Sequence, residues 1–143
     1  MSTATSFKLL LIEPCDDFRS ILAILLELAG CEVRSVSDSP TALAIATTFE
    51  PDMILTELVG VGGFEIAQHL KAIPQTKDAH IVALTSLYWI GIEVEAVNAG
   101  FTQYLLKPAA FDSLIKILAS LAMLHGKNLQ VADFHELAPS YLA

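Results

Sequence analysis

Short apolar runs recur along the chain, separated by segments in which the apolar positions are spaced differently. Most of these runs are rich in Ile, Val or Leu, which is typical of strands that are buried on both faces of a parallel sheet. The predicted strands are Lys8–Ile12, Glu32–Val36, Met53–Thr56, Ile81–Leu84 and Tyr104–Leu106.

The segments between these runs carry apolar residues three or four positions apart, which is typical of helices. The first helix, Asp16–Ala29, opens on two acids and stops at Gly30. The second begins at Ser39-Pro40, where serine caps the helix and proline takes its first position, and it runs to about Phe49. Further helices are predicted over Phe64–Ala72, up to Ala99-Gly100, and over Phe111–Leu124. A helix after every strand predicts an α/β fold with a doubly wound, five-stranded parallel sheet.

Composition narrows the class of protein. A chain of 143 residues is one domain of ordinary size, and 54% apolar with 17% charged residues excludes a disordered chain. The net charge of −8, with no basic cluster, argues against binding to nucleic acid. No apolar run approaches the roughly 18 residues that a membrane span needs, so we expect no contact with a membrane.

Two features predict a cytoplasmic protein. Met1–Lys8 has neither the basic start nor the apolar core of a signal peptide. Cys15 and Cys31 lie near opposite ends of the first predicted helix, too far apart for a disulfide, and no Cys/His pattern has zinc spacing, so we expect two reduced thiols. The predicted organisation is a domain over 8–125, an N-terminal extension over 1–7 and a tail over 126–143.

Polar residues follow four of the predicted strands. Glu13, Glu57, Thr85 and Lys107 each come directly after a strand or at its end. In an open parallel sheet, ligands bind beyond the carboxyl ends of the strands. We therefore expect these four residues to share one site.

These residues and their neighbours resemble the receiver domain of bacterial response regulators, the phosphoacceptor module of two-component signalling. The resemblance implies a flavodoxin-like (βα)5 fold of the CheY type with strand order 2-1-3-4-5. It also implies that Tyr104 is a switch residue and that Lys107 meets a phosphoryl group. The resemblance is carried by Lys8–Arg19, Pro51–Glu57, Leu84-Thr85-Ser86 and Tyr104–Pro108.

The chain departs from the family pattern at the phosphoacceptor and at the metal site. Glu57 stands where the family has an aspartate, and its carboxylate reaches roughly 1.5 Å further. A misplacement near 1 Å costs about a hundredfold in rate. Pro14 replaces one of two adjacent acids that hold Mg²⁺, and the loop Leu58–Gly63 is shorter than usual and lacks its proline. We expect no Mg²⁺ or other cofactor and no enzymatic activity; the weak alternative is a metal held by Glu13, Glu57 and the Val59 carbonyl.

The leading hypothesis is a stand-alone, degenerate receiver that signals by protein contact without phosphorylation. In one version Glu57 reaches both Lys107 and Thr85 and fixes a signalling-like conformation; in the other the site is inactive and the ion pair only neutralises buried charge. A second hypothesis is a working phosphoacceptor that uses Glu57, or a metal site rebuilt around Asp16 or Asp17. A third, an enzyme or small-molecule binder on the same sheet, lacks a glycine-rich phosphate loop.

Apolar residues stand where receivers of this type are usually charged. They follow the fourth strand and continue into the fourth helix, and the fifth helix is apolar over more of its circumference than one buried face needs. A contiguous exposed apolar surface marks a partner site. We expect a protein partner or a homodimer at the face made by the fourth helix, fifth strand and fifth helix; the alternative is that Val131, Phe134 and Leu137 of the tail cover it. The residues assigned to this face are Trp89, Ile90, Ile92, Tyr104 and Ile117.

Overall fold

The structure, a computed structural model, describes residues 6–107 and 111–127, the side chains of 111 and 112 excepted. The strands are β1 (Phe7–Ile12), β2 (Cys31–Val36), β3 (Met53–Thr56), β4 (His80–Thr85) and β5 (Gln103–Leu106). The helices are α1 (Asp16–Leu28), α2 (Ser39–Phe49), α3 (Gly63–Ala72), α4 (Ile92–Ala99) and α5 (Phe111–Leu124). Val131, Phe134 and Leu137, predicted to cover a surface, lie outside the described residues.

The five strands form one parallel sheet in the order β2-β1-β3-β4-β5, which confirms the predicted fold. Helices cover both faces. Leu9 and Leu11 of β1 face the layer formed by α1 and α5, whereas Leu10 and Ile12 face the layer formed by α2, α3 and α4. Because successive side chains of a strand point to opposite faces, both layers need apolar residues, and the central strands are therefore apolar over Leu9–Ile12, Met53–Leu55 and Ile81–Leu84.

The predicted starts of α1, α3 and α5 agree with the structure to within one residue, whereas the cap of α2 needs a correction. Ser39 was predicted as the cap, but Asp38 caps this helix, and its carboxylate accepts a hydrogen bond from the Thr41 amide at 2.8 Å. The Ser39 hydroxyl instead donates to the Val61 carbonyl and ties α2 to the loop before α3. Within the described ranges, no helix is long and apolar enough to cross a membrane.

The two thiols are free, with Cys15 exposed before α1 and Cys31 buried at the start of β2.

The sequence assigns Lys127 to the tail, but its ammonium forms an ion pair with Asp52 at 2.7 Å. The packed structure therefore continues to Lys127.

Ile92 is not part of the exposed apolar face, and its assignment to that face was wrong. It is the first residue of α4 and its side chain is 0% exposed, because positions 92, 96 and 99 form the inward face of the helix. The apolar side chains that do point outward here are Ile90, Val94 and Val97, which are 93%, 64% and 66% exposed. Sequence patterning missed the two valines because the predicted helix had no defined start.

Candidate functional site

The predicted site residues meet at the carboxyl edge of the sheet because the strand pairing continues past the strand ends. The Glu13 amide donates a hydrogen bond to the Val36 carbonyl at 3.0 Å, and the Glu57 amide donates one to the Ile12 carbonyl at 2.9 Å. On the other side of the site, the Lys107 amide donates a hydrogen bond to the Thr85 backbone carbonyl at 2.8 Å. These bonds orient the backbone at each residue, so the side chains of Glu13, Glu57 and Lys107 converge.

The Lys107 ammonium lies between two carboxylates. Its Nζ is 2.6 Å from Glu13 Oε1 and 3.1 Å from Glu57 Oε1, and it stands 4.3 Å from the centre of the Phe18 ring. The side chains of Glu13 and Glu57 are only 4% and 7% exposed. Burial by itself lowers the pKa of Lys107, but the hydrogen bonds and negative charges of both glutamates outweigh it, and the net pKa is raised. The Lys107 ammonium therefore compensates the negative charges of the two buried carboxylates.

The other oxygens of the two carboxylates accept backbone amides. Glu13 Oε2 accepts from the Cys15 amide at 2.9 Å. Glu57 Oε2 accepts from the Leu58 amide at 2.6 Å and the Val59 amide at 3.3 Å. Every carboxylate oxygen of the pair thus has a donor from the chain itself, and such charge-assisted bonds are the strong ones.

The chain around the two glutamates packs closely. A Cβ added at Gly63 would lie 2.7 Å from the Glu57 carbonyl oxygen, so only glycine fits where α3 begins. Pro14 is exposed and follows Glu13, and Gly60, at φ +79, faces its ring.

Asp16, in the first turn of α1, forms an ion pair with Arg19 at 2.6 Å, which is consistent with a charge at the start of a helix. In the part of the chain that the structure describes, no group of three His, Cys, Asp or Glu could hold a metal ion.

Among the described contacts, Thr85 forms no hydrogen bond to either carboxylate. Its Oγ1 accepts from the Leu87 amide at 3.1 Å. Of the two contacts in the version in which Glu57 fixes a signalling-like conformation, the one with Lys107 is present, and a hydrogen bond to Thr85 is absent among the described contacts. The Glu57 carboxylate instead accepts from the Leu58 and Val59 amides.

Leu87 links Thr85 with Tyr104, a connection that the sequence did not reveal. The Leu87 amide donates to Thr85, and its carbonyl accepts from the Tyr104 hydroxyl. Burial, followed by the charges of nearby Glu93, Tyr88 and Glu57, raises the pKa of Tyr104. The loop after β4 is therefore tied at one residue to both β4 and β5.

The other residues assigned to the predicted partner face differ in exposure. Trp89 is 37% exposed and packs on Phe64 of α3, with ring centres 6.2 Å apart. Ile117 of α5 is half-buried against the core layer of α1 and α5. Ile90, by contrast, is almost fully exposed.

Sequence comparisons agree with the fold. Residues 9–119 match the family model of the response regulator receiver domain. The DNA-binding dual master transcriptional regulator RpaA of Synechocystis sp. is 26% identical over 132 residues, which cover 91% of this chain and 55% of that protein. Response regulator PleD of Caulobacter vibrioides is 30% identical over 105 residues, or 72% of this chain and 23% of PleD. The chain therefore spans about half the length of the first relative and about a quarter of the second.

Solved structures show the same architecture. Chemotaxis response regulator CheY4 of Vibrio cholerae superimposes with a TM-score of 0.72 at 28% identity, over 82% of this chain and 99% of that one. A CheY-like receiver domain from Methylobacillus flagellatus gives a TM-score of 0.69 at 26% identity, over 82% and 99% of the two chains. The prediction of a receiver domain of two-component signalling is thereby confirmed. The chain belongs to the family of response regulator receiver domains.

Proposed function

We propose that this receiver domain signals by protein contact and does not depend on phosphorylation. The observation that supports this most directly is the position of the Lys107 ammonium, 2.6 Å from Glu13 and 3.1 Å from Glu57. The lysine that would meet a phosphoryl group is already bound to two carboxylates. A phosphoryl group entering the site would have to compete with Glu57 Oε1 for the Lys107 ammonium and with Glu57 Oε2 for the Leu58 and Val59 amides.

The same residues do not fit a bound Mg²⁺. Magnesium prefers near-octahedral oxygen ligands and is usually held by one or two carboxylates. Here Pro14 offers no side-chain oxygen, and each oxygen of Glu13 and Glu57 has a donor from the chain. We therefore propose that the domain works without a metal, and we assign no step to one.

The proposed output surface is the face formed by α4, β5 and α5. On this face and in the loop before α4, Tyr88, Ile90, Val94, Val97 and Leu106 are exposed apolar or aromatic side chains. Leu87 connects the loop to Thr85 beside the degenerate site and to Tyr104 on β5. The proposed ligand of this face is a protein, either a second copy of the chain or a different partner.

Treatment with a small phosphodonor tests the proposal. The full chain is incubated with acetyl phosphate and Mg²⁺, and its intact mass is measured. We expect no gain of a phosphoryl group for the natural sequence. The matched control is the double variant Pro14→Asp, Glu57→Asp, which supplies both acids that the family pattern has and should gain one phosphoryl group. A gain of one phosphoryl group by the natural chain would overturn the proposal in favour of the phosphoacceptor hypothesis.

A further inference from the structure

A groove separates α4 from the exposed edge strand β5. It has a volume of about 200 Å³, and its lining includes Glu93 and Val97 of α4, Phe101 before β5, and Tyr104 of β5. Phe101 is 3% exposed and so forms part of the apolar floor, whereas Glu93 is exposed. The groove therefore combines apolar side chains and the polar side chains of Thr102 and Gln103 with one carboxylate.

The surface beside this groove is apolar. Val94 and Val97 are three positions apart on α4, a spacing that places them on neighbouring parts of the helix surface. They are 64% and 66% exposed, and Ile90, before the helix, is 93% exposed. Large side chains left in water on one small area are typical of a protein-binding surface.

Both charged residues of α4 are acidic. Glu93 and Glu95 lie in the first turn of α4, and its last turn has no basic residue. Neither glutamate forms an ion pair within residues 6–107 and 111–127. A second copy of the chain would bring the same acids and a further net charge of −8. It could offer Lys116, which lines the neighbouring groove on α5, as a cation. Charge complementarity favours a basic partner over a second copy.

Building on the proposed function, we infer that the partner is a basic protein segment that inserts an Arg or Lys side chain into the groove between α4 and β5. The aliphatic part of that side chain lies against Val97 and Phe101, and its charge pairs with Glu93. Apolar side chains on either side of the basic residue pack on Ile90 and Val94. Long basic side chains suit such a site because their stems are apolar while their ends are charged, and Arg is enriched at interfaces.

The test uses a phage-displayed library of random short peptides, selected on the full chain. We expect the enriched peptides to contain Arg or Lys flanked by large apolar residues. Their affinity is then measured by fluorescence anisotropy for the natural chain and for Glu93→Gln, which should bind about tenfold more weakly through loss of one charge-assisted bond. The matched control is Glu95→Gln, the same change of charge on the same helix at a residue outside the groove, and it should bind nearly as the natural chain does.

The outcomes separate this inference from the function on which it rests. If the enriched peptides have no basic residue, or if Glu93→Gln and Glu95→Gln bind equally, the basic anchor is wrong while the α4–β5 surface can stand. If Val97→Ser leaves peptide binding unchanged, or no peptide is enriched, the surface itself is wrong. Sedimentation of the natural chain as a dimer that Glu93→Gln dissociates would show that a second copy is the occupant and would overturn the choice of a different partner.

Discussion

Lys107 Nζ lies closer to Glu13 Oε1, at 2.6 Å, than to Glu57 Oε1, at 3.1 Å. The residue at the phosphoacceptor position is therefore not the closest partner of the lysine. Glu57 is also held by two backbone amides, whereas the second oxygen of Glu13 accepts one. Both carboxylates are nearly buried, so removal of the lysine would leave two negative charges with hydrogen bonds but no cation from the described residues.

We expect Lys107→Met to destabilise the fold by about 3 kcal/mol at neutral pH, because breaking a buried ion pair leaves an uncompensated charge. Despite burial, the hydrogen bonds and charges of both glutamates raise the pKa of Lys107, so its contribution to stability is complete below its unfolded pKa and declines as the pH rises through the raised one. The loss caused by Lys107→Met should therefore be full at neutral pH and smaller at alkaline pH. Urea unfolding of both proteins at the two pH values measures it. The exposed Lys116→Met is the control, and an equal loss at both pH values would contradict the cluster.

The link through Leu87 predicts a difference between two tyrosines. Tyr104→Phe removes the hydroxyl that donates to the Leu87 carbonyl, and we expect a loss of about 1 kcal/mol in the free energy of unfolding. Tyr88→Phe is the matched control because Tyr88 is 61% exposed and has water as an alternative partner. Chemical denaturation of the two variants compares them directly. Equal stabilities would show that the hydrogen bond to Leu87 contributes nothing.

The corrected position of Ile92 predicts opposite behaviour for two isoleucines that are close in sequence. Ile92→Ala should cost about 2–5 kcal/mol, because it leaves a cavity beneath α4. Ile90→Ala should change stability by no more than about 0.5 kcal/mol, because its side chain is already in water. Thermal or urea denaturation measures both. A small effect at Ile92 would mean that α4 is rotated from the position described above.

The two cysteines should differ in reactivity. Burial raises the pKa of Cys31 from 9.0 to about 12, so its reactive thiolate is scarce in the folded protein. In a thiol assay with Ellman's reagent, Cys15 should react at once and Cys31 only on unfolding, so Cys15→Ser should abolish the fast phase.

The raised pKa of Cys31 also predicts how stability depends on pH. Since the unfolded thiol ionises at a lower pH than the folded one, the contribution of Cys31 to stability is complete below about pH 9 and declines above it. Cys31→Ala should remove this part of the decline in stability at alkaline pH.

Local spacing in the sequence was enough to predict the elements and their order. Alternation of apolar runs with helical periodicity identified all five strands and the helices between them, since burial on both faces of a parallel sheet requires apolar strands. Glu13, Glu57 and Lys107 were predicted to meet because the carboxyl ends of parallel strands lie on one edge. The resemblance to receivers then supplied the strand order, which spacing alone does not determine.

Only the tertiary structure decided which groups pair. The choice between Thr85 and the Leu58 amide as partner of Glu57, or between Ser39 and Asp38 as cap of α2, depends on differences of about an ångström, because a hydrogen bond is lost a few tenths of an ångström beyond its normal length. The burial of Ile92 depends on the residue at which α4 begins, since each residue turns the helix by about 100° and so changes which side chains face the sheet. Residue order sets the spacing along an element, but the phase of a helix and the partner of a polar group are set by what packs against them.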